Sequence, residues 1–185
     1  MNGGEYINNN NQIKDIIINN LGIKSLKGIP KVIEGSFNCR DNLLNNLNDC
    51  PKIVKGNFDI SWNNLNINLN NSPKEVMGDF NCGYNELPTL SGVTKIIGGS
   101  FDCCNNQLTS LKGSPNYIGV SFYCFENKLT SLEGCPNYVN GGFYCQRNQL
   151  TSLDGYNGNY DKLFCDKHLI KKHKRSKKLK LLKDF

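Results

Sequence analysis

Hydrophobic residues recur along this chain at an interval of about 21 residues. Each unit begins with a phenylalanine, followed by a small or branched apolar residue, an asparagine and two leucines. The phenylalanines are Phe37, Phe58, Phe80, Phe101, Phe122 and Phe143. The apolar residues two positions later are Cys39, Ile60, Cys82, Cys103, Cys124 and Cys145. A period of this length predicts a solenoid in which each unit forms one coil and neighbouring coils bury each other's apolar face.

The residue types in these columns fit a coil that contains one short strand. Residues two positions apart point to the same side of an extended segment, and Phe and Cys both favour burial, so that side is predicted to be the interior. A buried asparagine can donate and accept hydrogen bonds where the chain turns off the strand. The asparagines are Asn42, Asn63, Asn85, Asn106, Asn127 and Asn148. Their stacked copies are predicted to form a ladder along the solenoid.

The repeat weakens towards both ends, as terminal coils of solenoid proteins do. An incomplete first copy begins at Ile16, and the last strand ends near Cys165. We therefore predict an N-terminal cap at residues 1–15, a solenoid of about seven repeats at residues 16–165, and a basic C-terminal cap or tail at residues 166–185.

The unit F-x-C-x-x-N-x-L-x-x-L resembles the leucine-rich repeat, L-x-L-x-x-N-x-L-x-x-L, with Phe and Cys in the first two apolar positions. Its short period and its L-x-G-x-P return are most similar to the short bacterial type of leucine-rich repeat. Similar Cys-bearing repeats are seen in proteins of phages and large DNA viruses. The resemblance implies a mainly β leucine-rich-repeat solenoid, with a parallel sheet on the concave face and turns or extended segments on the convex face. Because this family is a scaffold for many partners, it does not imply one function.

The nine cysteines do not form a pattern that is typical of a metal site or a catalytic site. Most of them lie in the inward column, where a small apolar side chain packs well, and no C-x-x-C pair is present. Cys104 directly follows that column and is predicted to face solvent. We expect no catalytic residues, no metal, no cofactor and no small-molecule ligand, and hence a protein that is not an enzyme.

The side chains between and beside the inward columns are predicted to face away from the core. Exposed aromatic residues are costly to leave in water and often mark interfaces. The predicted partner-binding residues of this concave face are Trp62, Tyr84, Tyr123, Phe125, Tyr144, Asp59, Asp102 and Arg147. The aromatic residues either contact a protein partner or stack on one another to stiffen the sheet. The acidic residues among them disfavour nucleic acid and favour a basic protein.

Basic residues are concentrated in the segment 166–185, which holds nine of the 22 lysines and arginines but only two of the 16 acids. Its leucines have roughly helical spacing, which predicts a short helix that caps the end of the solenoid. The basic side chains are alternatively a contact for nucleic acid or for an acidic partner. The candidate contacts are Lys171, Lys172, Lys174, Arg175, Lys177 and Lys178.

Together these patterns predict a non-enzymatic protein–protein interaction module. The resemblance suggests a phage or viral protein that binds and blocks a host factor through its concave face. Two alternatives stay open: a structural component of a virus particle or larger assembly, and a nucleic-acid-associated protein that acts through the basic tail. The sequence has neither an apolar stretch of membrane-spanning length nor the plan of a signal peptide. We therefore expect an intracellular protein of the host cytoplasm, or of the nucleus in a eukaryotic host, that is not secreted and does not bind a membrane.

Overall fold

A computed structural model describes residues 4–7 and 13–173, with side chains for residues 14–159 and 161–173. The described chain winds into a parallel β-solenoid of about seven coils, with the repeat of about 21 residues that the sequence predicts. Each coil is displaced from the next by one strand spacing along the solenoid axis, so equivalent residues of successive repeats stack directly on one another.

The phenylalanine of each repeat begins a two-residue strand, and these strands form the first sheet. Phe101 pairs with Phe80 on one side and with Phe122 on the other, so the inward column of the sequence becomes a column of buried rings. The strands of this sheet follow one another in chain order, and all neighbours are parallel except the first two. The strands, numbered in chain order, are β1 (Gly4–Ile7), β2 (Ile13–Ile17), β4 (Phe37–Asn38), β6 (Phe58–Asp59), β8 (Phe80–Asn81), β10 (Phe101–Asp102), β12 (Phe122–Tyr123), β14 (Phe143–Tyr144) and β15 (Leu163–Phe164).

A second parallel sheet of six strands lies just before the first sheet in each coil. In most of its strands the first residue faces solvent and the second faces the core; Ile96, for example, is exposed whereas Ile97 is fully buried. The strands are β3 (Val32–Ile33), β5 (Ile53–Val54), β7 (Glu75–Val76), β9 (Ile96–Ile97), β11 (Tyr117–Ile118) and β13 (Tyr138–Val139). The sequence predicted turns or extended segments in this part of the coil. In the structure, two residues of each such segment form a strand that pairs with the neighbouring coils.

Glycines at the corner between the two sheets let adjacent coils approach closely. A Cβ atom added to Gly98 would lie 2.0 Å from the backbone oxygen of Met77, and one added to Gly119 would lie 2.0 Å from the oxygen of Gly98. Such contacts are far shorter than van der Waals distance, so a side chain at either position would force the coils apart.

The asparagine column forms the predicted ladder of hydrogen bonds. The side-chain nitrogen of Asn106 donates to the backbone oxygens of Cys82, Cys103 and Cys104 at 3.1–3.2 Å. Its side-chain oxygen accepts a hydrogen bond from the backbone N–H of Leu87 at 2.9 Å. Because Cys82 and Leu87 belong to the preceding coil, each asparagine joins two coils as well as closing its own turn.

A short helix follows the last strand, as the sequence predicts. A 3₁₀ turn at Tyr160–Lys162 leads into β15, and helix α1 covers residues 167–173. Leu169 of α1 is buried in the core, and the Lys172 ammonium donates to the backbone oxygen of Thr151 at 2.9 Å. No helix within the described part of the chain is long and apolar enough to cross a membrane.

Candidate partner-binding site

The predicted aromatic residues fall into two separate clusters on the outward side of the first sheet and its adjoining turns. The first cluster consists of Trp62 and Tyr84, whose ring centroids lie 4.2 Å apart with 10° between the planes. The guanidinium of Arg40, from the preceding coil, lies 6.0 Å from the centroid of the Trp62 ring. This distance is within the range of a cation–π contact.

Trp62 and Tyr84 adopt a backbone conformation that disfavours large side chains. Their φ angles are 55° and 54°, in the left-handed region, and their exposed fractions are 46% and 42%. Left-handed backbone costs a residue with a Cβ atom about 1–2 kcal/mol, and Asn and Asp tolerate it best. The same turn position in the other coils is polar, with Asp41, Asn105, Glu126 and Arg147. The turn itself therefore gives no reason for an aromatic side chain at this position.

The second cluster consists of Tyr123, Phe125, Tyr144 and Phe164. Tyr123 stacks on Tyr144 with a centroid distance of 4.8 Å, and Tyr144 stacks on Phe164 at 4.5 Å. Phe125 meets the ring of Tyr123 edge-on at 6.5 Å. Three successive coils thus present a continuous stack of rings, with one further ring beside it.

Phe164 is a member of this stack that the sequence analysis did not select. It is exposed and lies between the buried residues Leu163 and Cys165, as Tyr144 lies between Phe143 and Cys145. The sequence pattern could have identified Phe164. Leu163 takes the place of the usual phenylalanine in the last strand, so Phe164 occupies the same column as Tyr144.

An open depression of about 350 Å³ next to this stack is lined by polar as well as aromatic side chains. Glu126 and Arg147 form an ion pair at the depression, which places Arg147 beside the second cluster. The other lining residues are Tyr123, Phe125, Tyr144 and Gln146. Aromatic residues with a polar rim are the usual composition of a protein–protein contact.

The two predicted acidic residues have local roles at the ends of their strands. The carboxylate of Asp59 accepts hydrogen bonds from the backbone N–H and the hydroxyl of Ser61, at 2.9 and 2.6 Å. The carboxylate of Asp102 accepts from the backbone N–H of Cys104 at 2.9 Å, and burial raises the pKa of Asp102. A contact of either acid with a partner stays a prediction.

The prediction that Cys104 faces solvent is wrong. Its side chain is only 2% exposed, and burial raises the pKa of its thiol to about 12. Strand β10 ends at Asp102, so the alternation of inward and outward side chains no longer holds at Cys104. The sulfur instead lies over Gly83 of the preceding coil, 3.2 Å from where a Cβ atom would stand, and occupies the space that a side chain there would fill.

All nine cysteines are free and buried, and their reactivity is expected to differ sharply. The neighbouring Cys145 side chain lowers the pKa of Cys165, whereas burial raises the pKa of Cys103. Since the thiolate is the nucleophile, iodoacetamide at mildly alkaline pH should alkylate Cys165 first and Cys103 only on unfolding. Peptide mass spectrometry over time, with and without urea, measures this order. Modification of Cys104 as fast as Cys165 would contradict it.

The structure describes only part of the predicted basic contact. Lys171 and Lys172 are exposed on α1, whereas Lys174, Arg175, Lys177 and Lys178 lie outside the described residues. Among the described residues, no group of three His, Cys, Asp or Glu side chains lies close enough together to hold a metal ion.

Compared with known proteins, the chain matches no family model, no curated protein and no solved structure.

Proposed function

We propose that this protein is a non-enzymatic protein-binding module whose contact surface consists of the two aromatic clusters. The placement of Trp62 and Tyr84 carries the proposal. Both are large, nearly half exposed and in left-handed backbone, where Asp or Asn serves the fold at lower cost. Buried at an interface, such a side chain contributes about 2 kcal/mol or more. The stack of the two rings contributes about 0.5–1.5 kcal/mol, which is less than the summed cost of two left-handed residues, so an interface would offset the remainder.

Both clusters are within reach of a single partner. Three strand spacings of the first sheet separate β6, next to the first cluster, from β12 in the second. At about 4.8 Å per spacing, β6 and β12 lie about 14 Å apart along the solenoid, which is small compared with an ordinary protein interface. Asp59 lies in the coil of Trp62, and Asp102 lies in the coil between the two clusters. A partner with apolar side chains for the two clusters and basic residues between them fits this surface.

The resemblance to repeats of phage and large-virus proteins extends the proposal. On this proposal, the coils are leucine-rich repeats. The bound protein is a host factor, and binding blocks the surface through which that factor contacts its other partners. The asparagine ladder and the two leucines per coil support the first part, and the aromatic clusters support the second.

The other coils supply substitutions that should remove each cluster without disturbing the fold. Trp62→Asn with Tyr84→Asn removes the first cluster, because the turn already takes Asn105. Tyr123→Asn with Tyr144→Asn removes the stack of the second cluster, because Asn38 and Asn81 occupy the same column. A matched control removes a stacked tyrosine pair from the second sheet. It combines Tyr117→Ile with Tyr138→Ile, since Ile53 and Ile96 occupy that column.

Affinity capture from nuclease-treated host lysate, followed by titration with the purified captured protein, tests the proposal. We expect one protein near stoichiometric amounts, bound equally by the parent chain and the control, and at least about 30-fold more weakly by each cluster variant. Equal binding by the cluster variants would show that the aromatic residues only stack. Loss of capture on nuclease treatment would favour the nucleic-acid alternative, and capture of a particle's own structural proteins would favour the structural one.

A further inference from the structure

The second sheet carries a row of lysines that the aromatic site does not use. Lys31, Lys52, Lys74 and Lys95 directly precede the strands β3, β5, β7 and β9. Because these strands are neighbours in the sheet, the four side chains lie on successive coils, about 4.8 Å apart at their backbones. A row of like charges at this spacing repels itself, and an acidic partner would relieve the repulsion.

Three of these lysines line an open groove of about 980 Å³. Its floor is aliphatic and includes Ile53, Val76, Met77 and Ile96. Ile96 is 65% exposed and Met77 is also exposed, so the floor is accessible from solvent. The groove therefore combines an apolar floor with cationic side chains on the same sheet.

The lysines of the groove are not neutralised by neighbouring carboxylates. Lys31, which lies outside the groove, forms an ion pair with Asp49, with 3.6 Å between its Nζ atom and the Asp49 Oδ1 atom. Within residues 14–159 and 161–173, no carboxylate forms an ion pair with Lys52, Lys74 or Lys95. Glu75 is the one acid among the described lining residues, so cationic charge exceeds anionic charge in the groove.

We propose that this groove is a docking site for an acidic, partly apolar segment of another protein. Its carboxylates would contact Lys52, Lys74 and Lys95, and its apolar side chains would cover Met77 and Ile96. Charge complementarity excludes the basic segment of this chain as the occupant. The aliphatic floor favours a protein segment over nucleic acid, since bases bind by stacking on aromatic rings.

The proposed docking site is separate from the aromatic clusters and does not depend on their function. The two surfaces lie on different sheets and favour partners of opposite charge. One solenoid could therefore hold an acidic segment on the second sheet while a basic protein occupies the first.

Two matched pairs of variants separate the groove from general charge and general hydrophobicity. Lys52→Gln, Lys74→Gln and Lys95→Gln together remove the cationic row. Their control changes three exposed lysines outside the groove and alters net charge by the same amount: Lys24→Gln, Lys27→Gln and Lys128→Gln. Ile96→Ser changes the floor, and Ile67→Ser is its control, because Ile67 is 63% exposed and lies outside the groove.

The probe is a library of short random peptides displayed on phage, selected against the full chain. Selected peptides should be enriched in Asp and Glu together with apolar residues. Fluorescence anisotropy with the selected peptides should show about tenfold weaker binding to the triple groove variant and about fivefold weaker binding to Ile96→Ser. Both control variants should bind as the parent chain does, and binding should weaken as salt is raised.

Several results would overturn the proposal. One is a selected pool without acidic enrichment, and another is equal loss of binding in the groove triple and its control. Displacement of the peptides by oligothymidylate with the same sensitivity to the variants would assign the groove to nucleic acid. Self-association of the parent chain that only the groove triple abolishes would assign it to a second copy.

Discussion

Replacing Asn63 by Asp is expected to destabilise the solenoid by about 4 kcal/mol, whereas the same change at Asn64 should cost less than about 0.5 kcal/mol. The side-chain nitrogen of Asn63 donates to the backbone oxygens of Cys39, Ile60 and Ser61 at 3.0–3.2 Å. Asn63 is buried, whereas the side chain of Asn64, next in the chain, is exposed to solvent.

The cost follows from the geometry around the side chain. A carboxylate at position 63 keeps an acceptor for the backbone N–H of Leu44, which lies 2.9 Å from the Asn63 oxygen. It loses both donors, however, and faces three carbonyl oxygens in a buried site, which disfavours the charge. The pKa of the new carboxyl is therefore raised in the folded state. Its extra penalty is absent below the pKa of the unfolded chain and grows as the pH rises through that value.

Urea unfolding of the parent chain, Asn63→Asp and Asn64→Asp at neutral and acidic pH measures both effects. We expect a large drop in the midpoint for Asn63→Asp at neutral pH, a smaller drop at acidic pH, and little change for Asn64→Asp. Equal midpoints for the two variants would show that the ladder does not hold neighbouring coils together.

The sequence predicted the features in which the same residue type has the same structural role in every coil. Phe101 and Asn106 each repeat at the same position, so their burial and the hydrogen-bond ladder could be inferred from residue type and period alone. The sequence also placed Trp62 and Tyr84 in the same column, although it gave no sign that their backbone is left-handed.

The features that it missed depend on contacts between coils. In the sequence, Ile96 and Ile97 are only two adjacent apolar residues. They form a strand because the neighbouring coils pair with them. Cys104 is buried because Gly83 leaves room for its sulfur, and the other residues of that column, which range from Ser61 to Arg40 and Phe125, give no sign of this contact. The lysine groove was missed for the same reason, since its residues share a surface only after the three coils that carry β5, β7 and β9 have paired.

Phe101→Ala is expected to cost about 4 kcal/mol of stability, while Phe125→Ala should cost less than about 1 kcal/mol. The Phe101 ring is fully buried, with Phe80 5.5 Å away on one side and Phe122 5.6 Å away on the other. Its removal leaves a cavity between two coils that cannot collapse without changing the strand spacing. Phe125, by contrast, is half-buried and meets Tyr123 edge-on at 6.5 Å.

The comparison also tests the proposed function, because the same substitution is made in an inward and an outward phenylalanine. Urea unfolding should separate the two variants by about 3 kcal/mol or more. Titration with the captured protein should then show that Phe125→Ala, although stable, binds at least about tenfold more weakly than the parent chain. If Phe125→Ala instead costs as much stability as Phe101→Ala and leaves binding intact, the ring beside the stack belongs to the fold. The second cluster would then lose its place in the proposed contact surface, and Trp62 with Tyr84 would have to supply the contact alone.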